Sequence, residues 1–242
     1  LFKLYRYELK HFLMNKVFLI LSVVTVVYGW YLLSSDIILG VANTAPYSPW
    51  SFGGYIAGVM PLALACLLAL MAVIFSGEEK QVEKITAATP VSRGRRVMRH
   101  LGAIYTGFAG LLALLLVIAA IFYTSIFGVI DAAALLFPLL YAVLPGLLLI
   151  TGVALNLGRL GSVGIYILMA LLLLSGILAA WDNLPGLLDL FGGGFFHSYP
   201  QIADGADPAF TVPIGTLLGR VLIGVIGLAL LALGLLPEKK RR

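Results

Sequence analysis

Uncharged apolar stretches of about 20 residues recur along this chain, divided by short polar segments that hold nearly all of its charge. No other feature limits the fold as strongly. A helix rises about 1.5 Å per residue, so about 20 apolar residues cross the ~30 Å hydrocarbon layer of a bilayer. Six windows meet that length: residues 17–33, 53–76, 101–127, 132–157, 160–181 and 212–236. Composition agrees, with 61% apolar and 11% charged residues, against about 25% charged in a soluble domain. A folded protein in water must cover itself with polar side chains, and this chain has too few. The expected fold class is an all-α polytopic membrane protein with six transmembrane helices forming one transmembrane domain over residues 1–242. Pro138 and Pro145 are expected to kink the fourth span, which is tolerated in membranes when neighbours satisfy the freed backbone groups.

Lysine and arginine set the orientation. Lys3, Arg6, Lys10 and Lys16 precede the first span. Lys80, Lys84, Arg93, Arg95, Arg96 and Arg99 follow the second, Arg159 follows the fourth, and Lys239, Lys240, Arg241 and Arg242 close the tail. With six crossings, all of these fall on one side. Of the 16 basic residues only Arg220 departs from that side. The opposite loops hold Asp36, Asp131, Asp182, Asp189, Asp204 and Asp207. One crossing fewer would swap the later clusters and destroy the asymmetry. Both termini are therefore expected in the cytoplasm, with the chain a multi-pass protein of the cell (plasma or inner) membrane, prokaryotic in character. The net charge of +5 is clustered between apolar runs rather than spread along a soluble face, so a nucleic-acid partner is not expected. Tyr28, Trp30, Tyr31, Tyr47, Trp50 and Trp181 gather at the expected outer interface, as an aromatic belt does.

Two flanking segments have structure of their own. Residues 1–16 read as a basic amphipathic interfacial helix, with Phe2, Tyr5, Leu9, Phe12 and Leu13 on one face and Lys3, Arg6 and Lys10 on another. Its cations are expected to face anionic lipid headgroups. The segment is too charged for a secretory signal, and because the first residue is Leu1 the natural initiator is expected upstream. The outer insertion, residues 182–211, is long for a connection. Its apolar pieces, the Gly192-Gly193-Gly194 break and Pro200 suggest short helices dipping back toward the membrane, then coil.

The long polar stretch after the second span reads FSGEEKQVEKITAATPVSRGRR over residues 75–96. Glu78, Glu79 and Glu83 lie early in it, and Arg93, Arg95 and Arg96 late, which suits a helix macrodipole. Pro90 is expected to end the helical part. A second span, an acidic polar helix, then Thr89-Pro90-Val91-Ser92-Arg93 and a basic cluster entering the third span resembles the permease subunits of type 2 ABC exporters (the ABC-2 family). The order of elements resembles that family over essentially the whole chain. Where the family often carries a Gly-Thr pair and an acidic residue, this chain has Gln81, Val82 and Lys84, with Glu83 displaced by one.

The resemblance implies a non-catalytic subunit of an ATP-driven exporter. Residues 77–96 would be the coupling-helix segment, with Glu78, Glu79, Glu83, Thr89, Pro90 and Arg93 docking into a separate ABC ATPase subunit. ATP and Mg would reside on that ATPase. A second permease, identical or different, would complete the translocation path within the lipid bilayer. The chain has no G-x-x-x-x-G-K-[ST] phosphate loop, H-E-x-x-H, cysteine-rich metal spacing or G-x-S-x-G. No cofactor, metal site or catalytic residue is therefore assigned to it. His11, His100 and His197 are scattered over both sides, and Cys66 reads as a small buried hydrophobe.

Arg220 lies about eight residues inside the outer end of the sixth span, roughly 12 Å deep. A membrane arginine is a functional candidate. It is expected either to contact substrate in the path or to reach the outer headgroups or an outer aspartate such as Asp204 or Asp207. Gly54/Gly58 and Gly215/Gly219 have the four-residue spacing that permits close helix approach, within one subunit or between two. Few polar groups occupy the spans, which favours hydrophobic or amphipathic cargo such as a drug, lipid or peptide. Two other readings remain: an ion-coupled secondary transporter and a membrane scaffold. The first is disfavoured because all 11 carboxylates map to loops or ends.

Overall fold

The computed structural model describes residues 2–42, 44–76, 93–128, 131–179, 189–202 and 209–236. These residues are 86% helix, with no strand among them. The helices are α1 (Phe2–Leu13), α2 (Lys16–Ser35), α3 (Pro49–Ile74), α4 (Arg93–Phe127), α5 (Ala132–Leu160), α6 (Ser162–Ala179), α7 (Gly193–Ile202) and α8 (Ile214–Leu235). Five of them, α2, α3, α4, α5 and α8, are long and apolar enough to cross a bilayer, and α6 is a shorter apolar helix. The chain is a multi-pass membrane protein by this measure.

Local chemistry sets the helix starts. The Asn15 side chain accepts from the backbone N–H groups of Val17 and Phe18 at 2.9 and 3.2 Å, so α2 begins at Lys16. Ser48 does the same for Ser51 at 3.2 Å, and Pro49 fits the first helical position because its missing N–H has no partner there. Asp131 caps α5 through Ala133 and Ala134. Each cap satisfies donors that the first turn cannot satisfy itself. α5 continues as one helix through Pro138 and Pro145, both buried against neighbours.

α3 is the central helix. It packs against α2, α4, α5, α6 and α7 and is buried along most of its length. Thr25 meets Cys66 at 3.4 Å, while Gly29 lies against Val59 and Leu32 against Gly58, so α2 and α3 run antiparallel. The space at Gly107 of α4 is closed by Leu70 of α3 and Phe18 of α2. The most extensive packing joins α5 and α8, which run parallel. A Cβ on Gly152 would lie 2.7 Å from the Gly227 carbonyl oxygen, and one on Gly227 would lie 2.5 Å from the Leu149 nitrogen. Backbone therefore touches backbone, as small residues allow in membranes. The anticipated glycine pairs behave differently. Gly54 is closed by Val41 and His197 and Gly58 by Leu32, all within the chain, whereas Gly215 and Gly219 face open space.

The helix ends sort by charge. One end gathers Lys16, Arg99 and Arg159 with the C-termini of α3, α5 and α8. The other gathers Asp36, Asp131 and Asp189. At the basic end, Arg159 donates to the carbonyls of Leu233, Gly234 and Leu236 at 3.0, 2.7 and 2.6 Å. Carbonyls at the end of a helix lack the N–H of a following turn, and this guanidinium supplies donors to them, joining the Leu236 N–H at Leu233.

Three expectations change. α4 begins at Arg93, eight residues before the anticipated start of the third span, so the basic cluster lies on the helix itself. α1 does not use its apolar face only for lipid. Phe12 is buried, Tyr5 hydrogen-bonds Thr106 at 2.6 Å, and Glu8 pairs with Arg99 of α4 at 2.9 Å. Trp50, assigned to an interfacial belt, is 1% exposed and lies inside an aromatic cluster, while Trp30, Tyr31 and Tyr47 remain on the surface. Trp181 lies outside the described residues.

Candidate functional site

The acidic end of the bundle carries a polar constellation built on α7. This helix starts where glycines remove side-chain bulk, and its first N–H groups would otherwise lack acceptors. Asp189 supplies them. Its Oδ1 accepts from the N–H groups of Gly192 and Gly193, both at 2.8 Å. Its Oδ2 accepts from those of Gly194 at 3.0 Å and Phe195 at 3.4 Å. A carboxylate at a helix N-terminus also opposes the positive end of the macrodipole. Gly192 turns the chain with φ +84°, and a Cβ there would lie 2.7 Å from Arg220 Nη2. Both the conformation and the space require glycine.

Arg220 completes the constellation from α8. It enters six residues after the start of the helix, about 9 Å along it, and is 6% exposed. Nη1 donates to the Leu190 carbonyl at 2.6 Å. Nη2 lies 3.9 Å from Asp189 Oδ2, and the guanidinium carbon sits 4.9 Å from the ring centroid of Tyr141 on α5. The guanidinium is thus held by a carboxylate, a carbonyl and a π-face, the environment that a buried cation needs. It ties α8 and α5 to the segment leading into α7.

An aromatic cluster fixes α7 from the other side. Trp50 of α3 approaches Phe195, Tyr199 and Phe210 with ring centroids at 5.4, 5.6 and 4.6 Å. Phe196 packs edge-on to Tyr141 at 5.7 Å and fills the space over Gly53. Beneath this cap is a cavity of about 220 Å³ between α2, α3 and α6, lined among others by Tyr28, Asp36, Tyr55, Ser175, Phe191 and His197. Among the described residues no three His, Cys, Asp or Glu side chains gather as a metal set. The arrangement has room for a small ligand; among the described residues it brings together no nucleophile and base.

The chain matches no family model, no curated protein and no solved structure. Its functional reading therefore rests on its own residues.

Of the residues singled out in the sequence, Glu78, Glu79, Glu83, Thr89 and Pro90 lie outside the described residues. Arg93 is the first residue of α4, and its side chain is likewise outside that set. Arg220 is buried rather than at the surface. The aspartate that it meets is Asp189; Asp204 and Asp207 are outside the described residues. Asp189 and Tyr141 were not singled out as site residues. An aspartate shortly before a Gly-Gly-Gly run is a helix-start signal, so the cap was readable. The pairing with Arg220, 31 positions later, carries no local signal.

Proposed function

We propose that this chain is the permease subunit of an ATP-driven exporter of the type 2 ABC class. It would cross the membrane six times with both termini cytoplasmic, work as half of a permease dimer, and be driven by a separate ATPase. The observation that carries the reading is α4. At 35 residues it is about 52 Å long, some 20 Å more than the ~30 Å hydrocarbon layer requires. The excess lies at its basic start, next to residues 77–92, the acidic and polar segment that resembles a coupling helix. Glu8 and Tyr5 brace α1 against this part of α4. A push on residues 77–92 would reach the central helix α3 from one end and the α1–α4 pair from the other.

α6 supports the sixth crossing. Its 18 residues give about 27 Å, close to the membrane requirement, and it packs along α3. With that crossing, the basic end of the bundle faces the cytoplasm under the positive-inside rule. ATP binding would close the partner ATPases, and the differential binding energy of ATP for their closed state would bias the permease toward an outward-open form. Amphipathic cargo would leave past the cap formed by α7.

The test is reconstitution of the purified chain with candidate ATPase subunits. The wild type is expected to form a complex and to stimulate ATP hydrolysis, and Glu79→Lys with Glu83→Lys is expected to abolish both. Unchanged complex formation and unchanged stimulation would refute the docking site.

A further inference from the structure

We propose that the cavity beneath α7 is a binding site for a small organic cation, a primary ammonium group on a short apolar body. The first ground is the direction of the hydrogen bonds around it. Among the described residues no lysine or arginine lines the cavity. The Tyr55 hydroxyl donates to the Leu115 carbonyl at 3.4 Å and the Ser175 hydroxyl donates to the Leu172 carbonyl at 2.7 Å. His197 Nδ1 lies 2.8 Å from the Gly193 carbonyl oxygen. A carbonyl can only accept, so Nδ1 is the donor, and Nε2 of the neutral ring is left as an acceptor. The first N–H groups of α7 are taken by Asp189. These donors are thus spent on the protein, and the lone pairs of Tyr55, Ser175 and His197 are left over.

The second ground is charge. Two carboxylates line the cavity, Asp36 and Asp189. Asp189 is matched by four N–H groups and Arg220. Asp36, at the end of α2, has no such match among the described residues. A carboxylate without a protein cation beside it, among acceptors, suits a cation that brings its own N–H donors.

The third ground is the frame. Leu32, Ile37, Pro61 and Phe191 supply apolar wall, and Tyr28 and Tyr55 add aromatic side chains to it. About 220 Å³ is less than the ~300–1,000 Å³ of drug-sized sites, so the occupant has one ring or a short chain. The same ammonium chemistry is offered by a soluble amine and by the headgroup of an ethanolamine phospholipid.

Binding to this site does not depend on ATP coupling, so the test uses the full chain alone in phosphatidylcholine nanodiscs, with 2-phenylethylammonium as the probe in calorimetric titration. Saturable binding is expected. Asp36→Asn is expected to weaken it about tenfold or more, as loss of a charge-assisted contact should, while Asp36→Glu keeps it within about fivefold. The trimethylated probe, which lacks N–H donors, and 2-phenylethanol, which lacks charge, are each expected to bind at least about fivefold more weakly. Asp36 is exposed and its amide is isosteric, so the variant is expected to retain the wild-type circular dichroism and melting temperature. Repeating the titration in nanodiscs rich in phosphatidylethanolamine separates the sources. Weakened probe binding there identifies the lipid headgroup as occupant, and unchanged binding identifies a soluble amine. No saturable binding by the wild type, or equal binding by folded Asp36→Asn, overturns the proposal.

Discussion

Replacing Asp189 by asparagine removes one charge from a place where the structure leaves little slack. Asp189 and Arg220 are 8% and 6% exposed, so solvent screens the pair weakly. At 3.9 Å and an effective dielectric of about 20, their gross attraction is about 4 kcal/mol. The amide also turns an NH₂ toward N–H groups that Oδ2 now accepts, those of Gly194 and Phe195. Removing one partner of a buried pair costs about 3–5 kcal/mol because the other is left uncompensated. For a chain of 242 residues that corresponds to a fall in melting temperature of about 6–20 °C. Arg220→Met should cost less, about 1–2 kcal/mol, because Asp189 keeps its four N–H donors when the guanidinium goes. The double variant Asp189→Asn with Arg220→Met should be more stable than Asp189→Asn alone, since no buried charge is stranded. Thermal unfolding in one detergent, followed by circular dichroism, reads all three. Equal losses for the two single variants, or additive losses in the double variant, would refute the charge-pair reasoning.

Three further outcomes follow from the packing. Gly227→Ala should destabilise the chain by about 1–3 kcal/mol, because the methyl would meet the α5 backbone. Gly215→Ala, with nothing within 4 Å, should change the melting temperature by less than about 2 °C, and similar effects at the two sites would contradict the parallel α5–α8 contact. Glu8→Lys should free α1 from α4, seen as a broadened distance distribution between spin labels on α1 and on the exposed face of α4. A distribution unchanged from wild type would remove Arg99 as the anchor. In a Cys66→Ser background, a cysteine at residue 204 should react with an impermeant maleimide added outside intact cells, and one at residue 240 should react only after permeabilisation. The reverse pattern at either position would break the six-crossing topology.

Five long apolar helices were legible because each is fixed by length and apolarity, and the helix starts were legible where a capping side chain sits next to its target, as at Asn15 and Asp131. Pairings between distant positions were not. Glu8 and Arg99 are 91 residues apart, as are Trp50 and Tyr141, two aromatics that flank Phe195. Trp50 looked interfacial because a tryptophan near a span end usually is; only α7 folding over it makes it core. Glycine spacing misled for a related reason. Gly215/Gly219 has the favoured interval but no helix opposite it, whereas Gly152 and Gly227 touch across two helices whose register no local pattern announces. The basic cluster at residues 93–99 was legible as charge, but its place on a continuous helix was not, since the window that identifies a span stops at the first charged residue.

The central claim is that ATP hydrolysis by a separate subunit drives transport through this chain. The most direct measurement is cargo movement in proteoliposomes that contain the chain, its ATPase and a fluorescent amphipathic substrate. Transport is expected with ATP and Mg, to stop when the nonhydrolysable analogue replaces ATP, and to be absent from liposomes that hold the chain alone under a proton or sodium gradient. Transport by the chain alone, driven by the ion gradient without ATP, would contradict the account.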